Sequence, residues 1–143
     1  MQVKDIMSRN VVTITPDATV LEAAKKMVEN NVKFLIVTEN ERLVGIVTEW
    51  DFVKKIAKGG KEILNAKLET IMTKKVIVIT PETTITEAAE IMLANNIKRL
   101  PVVENNVLIG VVTAMEILLA EPKLIEQVAE LFLTTEKQKS VAG

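Results

Sequence analysis

The chain has 143 residues, 48% of them apolar, with 18 basic and 19 acidic side chains and a formal net charge of −1; that is material for one ordinary domain or two very small ones, with no global field to attract nucleic acid. It contains no Cys and no His, which removes disulfides, thiolate nucleophiles, the usual triads and the usual zinc sites. Aromatics make up only 3%, so the core has to be aliphatic, and a catalyst would be left with carboxylates, lysines and hydroxyls.

The start, Met1-Gln2-Val3-Lys4-Asp5, leads into no signal-peptide core, and no apolar run approaches the ~18 residues of a membrane span; a soluble, cytoplasmic protein is expected. Residues 11–14 are a short β-branched run bounded by Thr15-Pro16, which predicts a strand. Thr19 opens a helix with Glu22 three residues on, a spacing at which each side chain can satisfy the other's backbone N–H. Val20, Ala23, Ala24, Met27 and Val28 follow at helical spacing as its apolar stripe. Asn30-Asn31 ends that helix. The nearly all-apolar runs 34–37 and 43–47 flank the polar turn Glu39-Asn40-Glu41, which predicts a hairpin covered on both faces. A second helix is predicted after Thr48, ending near Gly59-Gly60.

The chain then repeats itself. At one constant offset Ile6-Met7 recurs as Ile71-Met72, Thr15-Pro16 as Thr80-Pro81, Glu22-Ala23-Ala24 as Glu87-Ala88-Ala89, Asn30-Asn31 as Asn95-Asn96, and Gly45 and Thr48 as Gly110 and Thr113. Nearly half of positions 6–51 are identical to their counterparts without a gap, so the chain is a tandem duplication of a β-α-β-β-α unit. Thr84 and Glu87 repeat the cap, and Ile85, Ala88, Ala89, Met92 and Leu93 repeat the stripe. The expected division is repeat 1 over 1–60, a linker over 61–70, repeat 2 over 71–120, and a C-terminal helix and tail over 121–143. In that last segment Leu124, Ile125, Val128, Leu131 and Phe132 form one apolar face, which calls for the core or a second subunit. Residues 134–143 are polar and expected to fray.

Several positions carry candidate chemistry. Thr48 stands where a strand meets a helix N-terminus, so free N–H groups and the helix dipole there favour a phosphate. Gly45 permits close backbone approach. Asp51, one turn in, can accept hydrogen bonds from both hydroxyls of a ribose. Thr113 and Glu116 repeat the arrangement, with a longer side chain expected to carry the carboxylate away from the ribose position. The same Thr-x-x-Asp and Thr-x-x-Glu spacing is also an ordinary capping box, and the two uses are compatible because both employ one helix end. Trp50 fits packing or an interface better than an adenine platform. Met7, Met27, Met72, Met92 and Met115 read as core filler. No metal cluster is legible among the acidic residues.

Taken jointly, Val11, Pro16, Glu22, Val37 and Gly45-Ile46-Val47-Thr48-Glu49-Trp50-Asp51, with Val76, Pro81, Glu87, Arg99-Leu100-Pro101-Val102 and Gly110-Val111-Val112-Thr113-Ala114-Met115-Glu116, resemble a family pattern. It is that of cystathionine-β-synthase-type (CBS) domains arranged as a tandem pair. The resemblance covers about residues 3–120 and departs from the pattern at Glu116, where the family carries Asp. It implies an α/β fold with mixed sheets and pseudo-two-fold symmetry, and two clefts between the copies that commonly hold AMP, ADP, ATP or S-adenosyl compounds. On this resemblance one cleft combines Thr48 and Asp51 with Thr80, Ile97, Lys98 and Arg99, and takes further contacts from Gly45, Ile46 and Ile85. The other combines Thr113 and Glu116 with Thr15, Val32, Lys33 and Phe34. Lys98 and Arg99 serve a phosphate where the second cleft has Phe34, so the Asp51 cleft is expected to bind more strongly.

The implied function is a regulatory module that senses an adenine nucleotide, or S-adenosylmethionine, and modulates a partner in a separate chain. It would need no cofactor, no metal and no catalysis. A ligand-indifferent dimerisation scaffold is one alternative; an enzyme is another, though no base, nucleophile or metal set is recognisable. Members of the family tend to stack two pairs through their helices. A homodimer is therefore expected, with Trp50, Phe52 and Val53 from one copy and Met115, Ile117 and Leu118 from the other as apolar contacts. Near-zero charge and few aromatics argue against a nucleic-acid surface.

Overall fold

The computed structural model describes residues 1–142, and the side chains as far as residue 133. The first repeat forms β1 (Thr13–Ile14), α1 (Val20–Asn30), β2 (Phe34–Glu39), β3 (Arg42–Thr48) and α2 (Glu49–Gly59). Two 3-10 turns follow, Gly60–Asn65 and Leu68–Thr70. The second repeat forms α3 (Ile85–Asn95), β4 (Arg99–Glu104), β5 (Val107–Thr113) and α4 (Ala114–Ala120); after a 3-10 turn, α5 (Ile125–Ala142) closes the chain.

The opening strands are shorter than their β-branched runs suggest. β1 keeps two residues, and in the second repeat only Ile79 makes a bridge, parallel to Val102. Pro16 and Pro81 stop both runs, and β1 has a neighbour on one side only.

Local chemistry accounts for the other boundaries. Thr19 Oγ1 accepts the Glu22 N–H at 3.1 Å, and the Thr19 N–H reaches Glu22 Oε2 at 3.4 Å, both arms of the predicted box. At Thr84 only the first arm is present. Asn31 and Asn96 take left-handed backbone at φ 51° and 52°, which asparagine tolerates. The next N–H groups, of Val32 and Ile97, then fold back onto the carbonyls of Met27 and Met92 at 3.0 Å. Each hairpin turns on two residues of positive φ, Asn40-Glu41 and Asn105-Asn106, the backbone that matches the twist of paired strands.

The chain divides into two compact units. The Asp51 unit is Asn10–Val76 with Asn106–Leu108; the Glu116 unit is Met1–Arg9, Ile77–Asn105 and Ile109–Gly143. The division cuts across the sequence repeats, because the segment that opens each repeat packs with the other repeat's body. Ser8 bridges Val111 and Gln2 bridges Thr84 in the Glu116 unit; Thr73 bridges Ile46 and Lys67 bridges Thr19 in the Asp51 unit.

In the Asp51 unit β2 runs parallel to β1 and antiparallel to β3. Val20, Ala23, Met27, Leu35, Val37, Val47, Phe52, Leu68 and Ile71 form its core. In the Glu116 unit the β4–β5 hairpin supports a core that includes Val3, Met7, Ile85, Ala88, Met92, Leu100, Val112 and Ile117. Leu124, Val128 and Leu131 complete it, because α5 packs on α3 and α4. The C-terminal apolar face thus has a home in its own unit, with one correction: Ile125 is exposed. Helical backbone also continues beyond the expected start of fraying, to Ala142. Glu136, Lys137, Gln138, Lys139 and Ala142 there are good helix formers, and no Pro or Gly precedes Gly143; Gly143, and the side chains of the rest of that tail, lie outside the described residues.

Three further expectations are corrected. Val28 is 82% exposed, whereas its counterpart Leu93 packs against the core. The difference is α5, which covers α3. Met115 is half exposed rather than core filler. Of the expected dimer contacts, Phe52 and Ile117 are buried and Leu118 packs on the core, while Trp50, Val53 and Met115 face outward. Residues 50 and 53 fall about one helical turn apart on the face opposite Phe52.

Candidate functional site: two carboxylate-capped helix starts

Thr48 ends β3 in extended backbone, φ −116° and ψ 165°, and is the N-cap of α2. Its N–H donates to Asp51 Oδ2 at 2.8 Å, and its Oγ1 lies 3.3 Å from the same oxygen. The other oxygen, Oδ1, stands 3.8 Å from Lys54 Nζ, and the Asp51 side chain is 13% exposed. A carboxylate is thereby fixed at the strand-to-helix junction with one oxygen held by the cap. The Glu49 N–H is taken by the Lys33 carbonyl at 3.1 Å. Two of the donors expected for a phosphate are thus already used, and the junction suits hydroxyl donors better than an anion.

The Glu116 unit repeats this geometry. The Thr113 N–H donates to Glu116 Oε1 at 2.8 Å, its Oγ1 lies 3.1 Å from that oxygen, and the Glu116 N–H returns to Thr113 Oγ1 at 3.3 Å. The expectation that the longer side chain takes the carboxylate away is corrected. Glu116 curls back and meets the N–H of its own cap, Thr113, at the distance at which Asp51 meets that of Thr48. Here the Ala114 N–H is taken by the Lys98 carbonyl at 2.8 Å.

Those two backbone bonds settle which candidates adjoin within a unit. Val32-Lys33-Phe34 lie beside Thr48 and Asp51, with Phe34 opposite Thr48 in the β2–β3 ladder. Ile97-Lys98-Arg99 lie beside Thr113 and Glu116. The sequence grouping paired these segments the other way, with the helix start of the opposite repeat. Val32 and Ile97 are half-buried closing residues of α1 and α3 and pack on their cores.

The remaining candidates separate. Ile85 is buried in the Glu116 core and offers no surface to a ligand. The Thr80 hydroxyl pairs with that of Thr83 at 3.3 Å. The Thr15 hydroxyl donates to Asp17 Oδ1 at 2.6 Å; that bond, with the Asp17 backbone N–H, holds this exposed carboxyl below the usual carboxylate range. A Cβ built on Gly45 would stand 2.6 Å from Met72 Sδ and 3.0 Å from the Thr73 carbonyl. The close approach that Gly45 permits is therefore that of the Met72-Thr73 segment, to which Ile46 is bridged. Lys98 Nζ lies 4.7 Å from the centre of the Phe132 ring.

One feature of the Asp51 unit was missed. A cavity of about 590 Å³ opens beside β1 and α1, lined by Thr13, Ile14, Thr15, Lys25, Lys26 and Thr38 among others. Its signal was a difference between the copies: Lys25-Lys26 stand where the second repeat has Glu90-Ile91. Among the described residues no polar or charged side chain is fully buried, no group of three or more acidic residues could hold a metal ion, and no helix is long and apolar enough to cross a membrane.

Residues 3–58 and 68–123 each match the CBS domain. An uncharacterized protein of Methanopyrus kandleri is 36% identical over 132 residues, covering 91% of this chain and 67% of its own length. A mitochondrial CBS domain-containing protein of Arabidopsis thaliana is 37% identical over 111 residues, covering 74% of this chain and 54% of its own length. The chain thus spans about half to two thirds of the length of these relatives. Among solved structures, a CBS-domain containing protein of Agrobacterium tumefaciens superposes with a TM-score of 0.78 at 31% identity, over 84% of this chain and 98% of that one. The CBS domain pair of protein MJ0100, solved in complex with 5′-methylthioadenosine and S-adenosyl-L-methionine, superposes at 0.74 with 33% identity, over 82% and 92%. The duplicated β-α-β-β-α unit, its two capped helix starts and these matches together show that the chain belongs to the CBS-domain family, as a tandem pair.

Proposed function

We propose that the chain is a regulatory module that binds an adenosine compound (AMP, ADP, ATP or an S-adenosyl compound) and modulates a separate partner protein, without catalysing a reaction. The observation that carries this reading is the Asp51 carboxylate, fixed by the Thr48 N–H at 2.8 Å. With Oδ2 held by the cap, Oδ1 is the acceptor for ribose hydroxyls, and a pre-positioned acceptor loses little freedom on binding. Glu116, bonded in the same way, gives the second repeat an equivalent acceptor. Lys98 and Arg99 supply the positive charge for phosphate, which favours a phosphorylated ligand for their site. The adenosyl ligands of the MJ0100 pair support the ligand class. An intracellular, cytoplasmic setting suits a nucleotide sensor built without cysteine.

Calorimetry on ligand-free protein with AMP, ADP, ATP and S-adenosylmethionine tests the reading. Binding of at least one is expected, weakened about tenfold or more by Asp51→Ala, since a hydrogen bond to a charged group contributes about 1.5–3 kcal/mol. Silence with all four compounds overturns it.

A second reading, dimerisation as the main role, is favoured by the outward-facing Trp50 and Val53 of α2 and Met115 and Leu119 of α4. It differs in one respect: the dimer would form with or without nucleotide.

A further inference from the structure

Lys98 serves two masters in the Glu116 unit. Its backbone carbonyl is fixed on the Ala114 N–H at the start of α4, so the residue cannot leave the loop beside Thr113 and Glu116. Its ammonium lies 4.7 Å from the centre of the Phe132 ring, within the range of cation–π attraction. Phe132 belongs to α5, which lies beyond the matched CBS residues 68–123. The helix itself is held independently, by Leu124, Val128 and Leu131 in the core. The first repeat has Lys33 at the equivalent position, and it is exposed.

We infer that Phe132 is a positioning residue that withholds Lys98 from phosphate, making α5 a regulator of the nucleotide site; this rests on the proposed nucleotide-binding role. The ammonium is a single point charge on a flexible stem. A phosphate oxygen offers it a charge-assisted hydrogen bond, stronger than an exposed ring contact. The ring and the phosphate therefore compete for one group, and the loss of one contact opposes the gain of the other. By linkage, anything that draws α5 away from Lys98 tightens phosphate binding, and phosphate loosens the ring contact by the same factor.

The test compares AMP with adenosine, which lacks phosphate, by calorimetry on the full chain. Phe132→Leu keeps apolar packing and removes the ring. It is expected to tighten AMP about two- to fivefold, the span of an exposed cation–π contact, and to leave adenosine unchanged. In a Lys98→Met background the same substitution should change neither, and Phe132→Tyr should behave as wild type. The Lys98 ε-proton NMR signals, shifted upfield by the ring, should relax toward ordinary lysine values when AMP is added. Equal effects on AMP and adenosine, a weakening of AMP by Phe132→Leu, or persistence of the effect without Lys98 would overturn the inference. AMP binding with unmoved Lys98 signals defeats the inference alone, whereas no binding of AMP or adenosine to wild type defeats the nucleotide reading and the inference with it.

Discussion

Gly45 and Gly110 are set by the chain segment that crosses each of them. A Cβ at Gly110 would stand 2.8 Å from Met7 Sδ and 2.9 Å from the Ser8 carbonyl, and the carbonyl, bonded to the Val111 N–H at 3.0 Å, has little room to yield. Gly110→Ala and Gly45→Ala are each expected to cost about 1–3 kcal/mol, the usual range for overpacking, read as a lower urea midpoint at unchanged slope. Glu41 gives the opposite case. It holds φ 66° without the tolerance of asparagine, which the second repeat uses at Asn106. Glu41→Asn should therefore raise stability by about 1 kcal/mol, part of the left-handed penalty for ordinary residues, with Asn106→Glu lowering it by a similar amount in the same urea assay.

Among the elements, α5 is the one outside the duplication, yet it finishes a core. Leu131 is buried beside Val128 and packs in the cluster that holds Met92 and Ile117. Leu131→Ala should cost about 2–5 kcal/mol, seen as a fall in the denaturation midpoint, whereas Ile125→Ala on the exposed side should change it little. The helices, their caps and the hairpin turns were legible because each depends on residues within a turn of one another: Thr19 with Glu22, Asn31 with Met27, Asn40 with Glu41. The departures in burial come from distant neighbours. Val28 and Leu93 occupy equivalent stripe positions, and only the presence of α5 over α3 makes one buried and the other bare. The helix starts show both sides. Spacing located the Thr48–Asp51 and Thr113–Glu116 pairs, but the reach of Glu116 back to its own cap depends on a side-chain conformation that spacing does not specify. The Lys98–Phe132 contact, made between residues on different elements, left no pattern to read.

At the scale of the molecule, the second helix of each repeat carries outward apolar side chains, and the proposed self-association would use them. Trp50 is 60% exposed with Val53 one turn on along α2, and Leu119 is 74% exposed one turn after the half-exposed Met115 on α4, so each helix shows a paired apolar surface. Self-association at micromolar concentration is expected in sedimentation velocity. Trp50→Glu with Leu119→Glu should weaken it at least about tenfold, because each substitution places a charge where an apolar contact is lost. A wild-type chain that sediments as a monomer across that range contradicts the expectation.

The unit boundaries also bear on the order of assembly. Residues Asn10–Val76 emerge from the ribosome as one stretch and carry nearly all of the Asp51 unit, so that unit can close while the rest is still being made. Val3 and Met7, synthesised earlier, have their seats among Ile85, Val112 and Ile117, which arrive much later. The Glu116 unit is thus completed by a long-range closure, the slow kind in folding, and until then these two apolar side chains wait without cover.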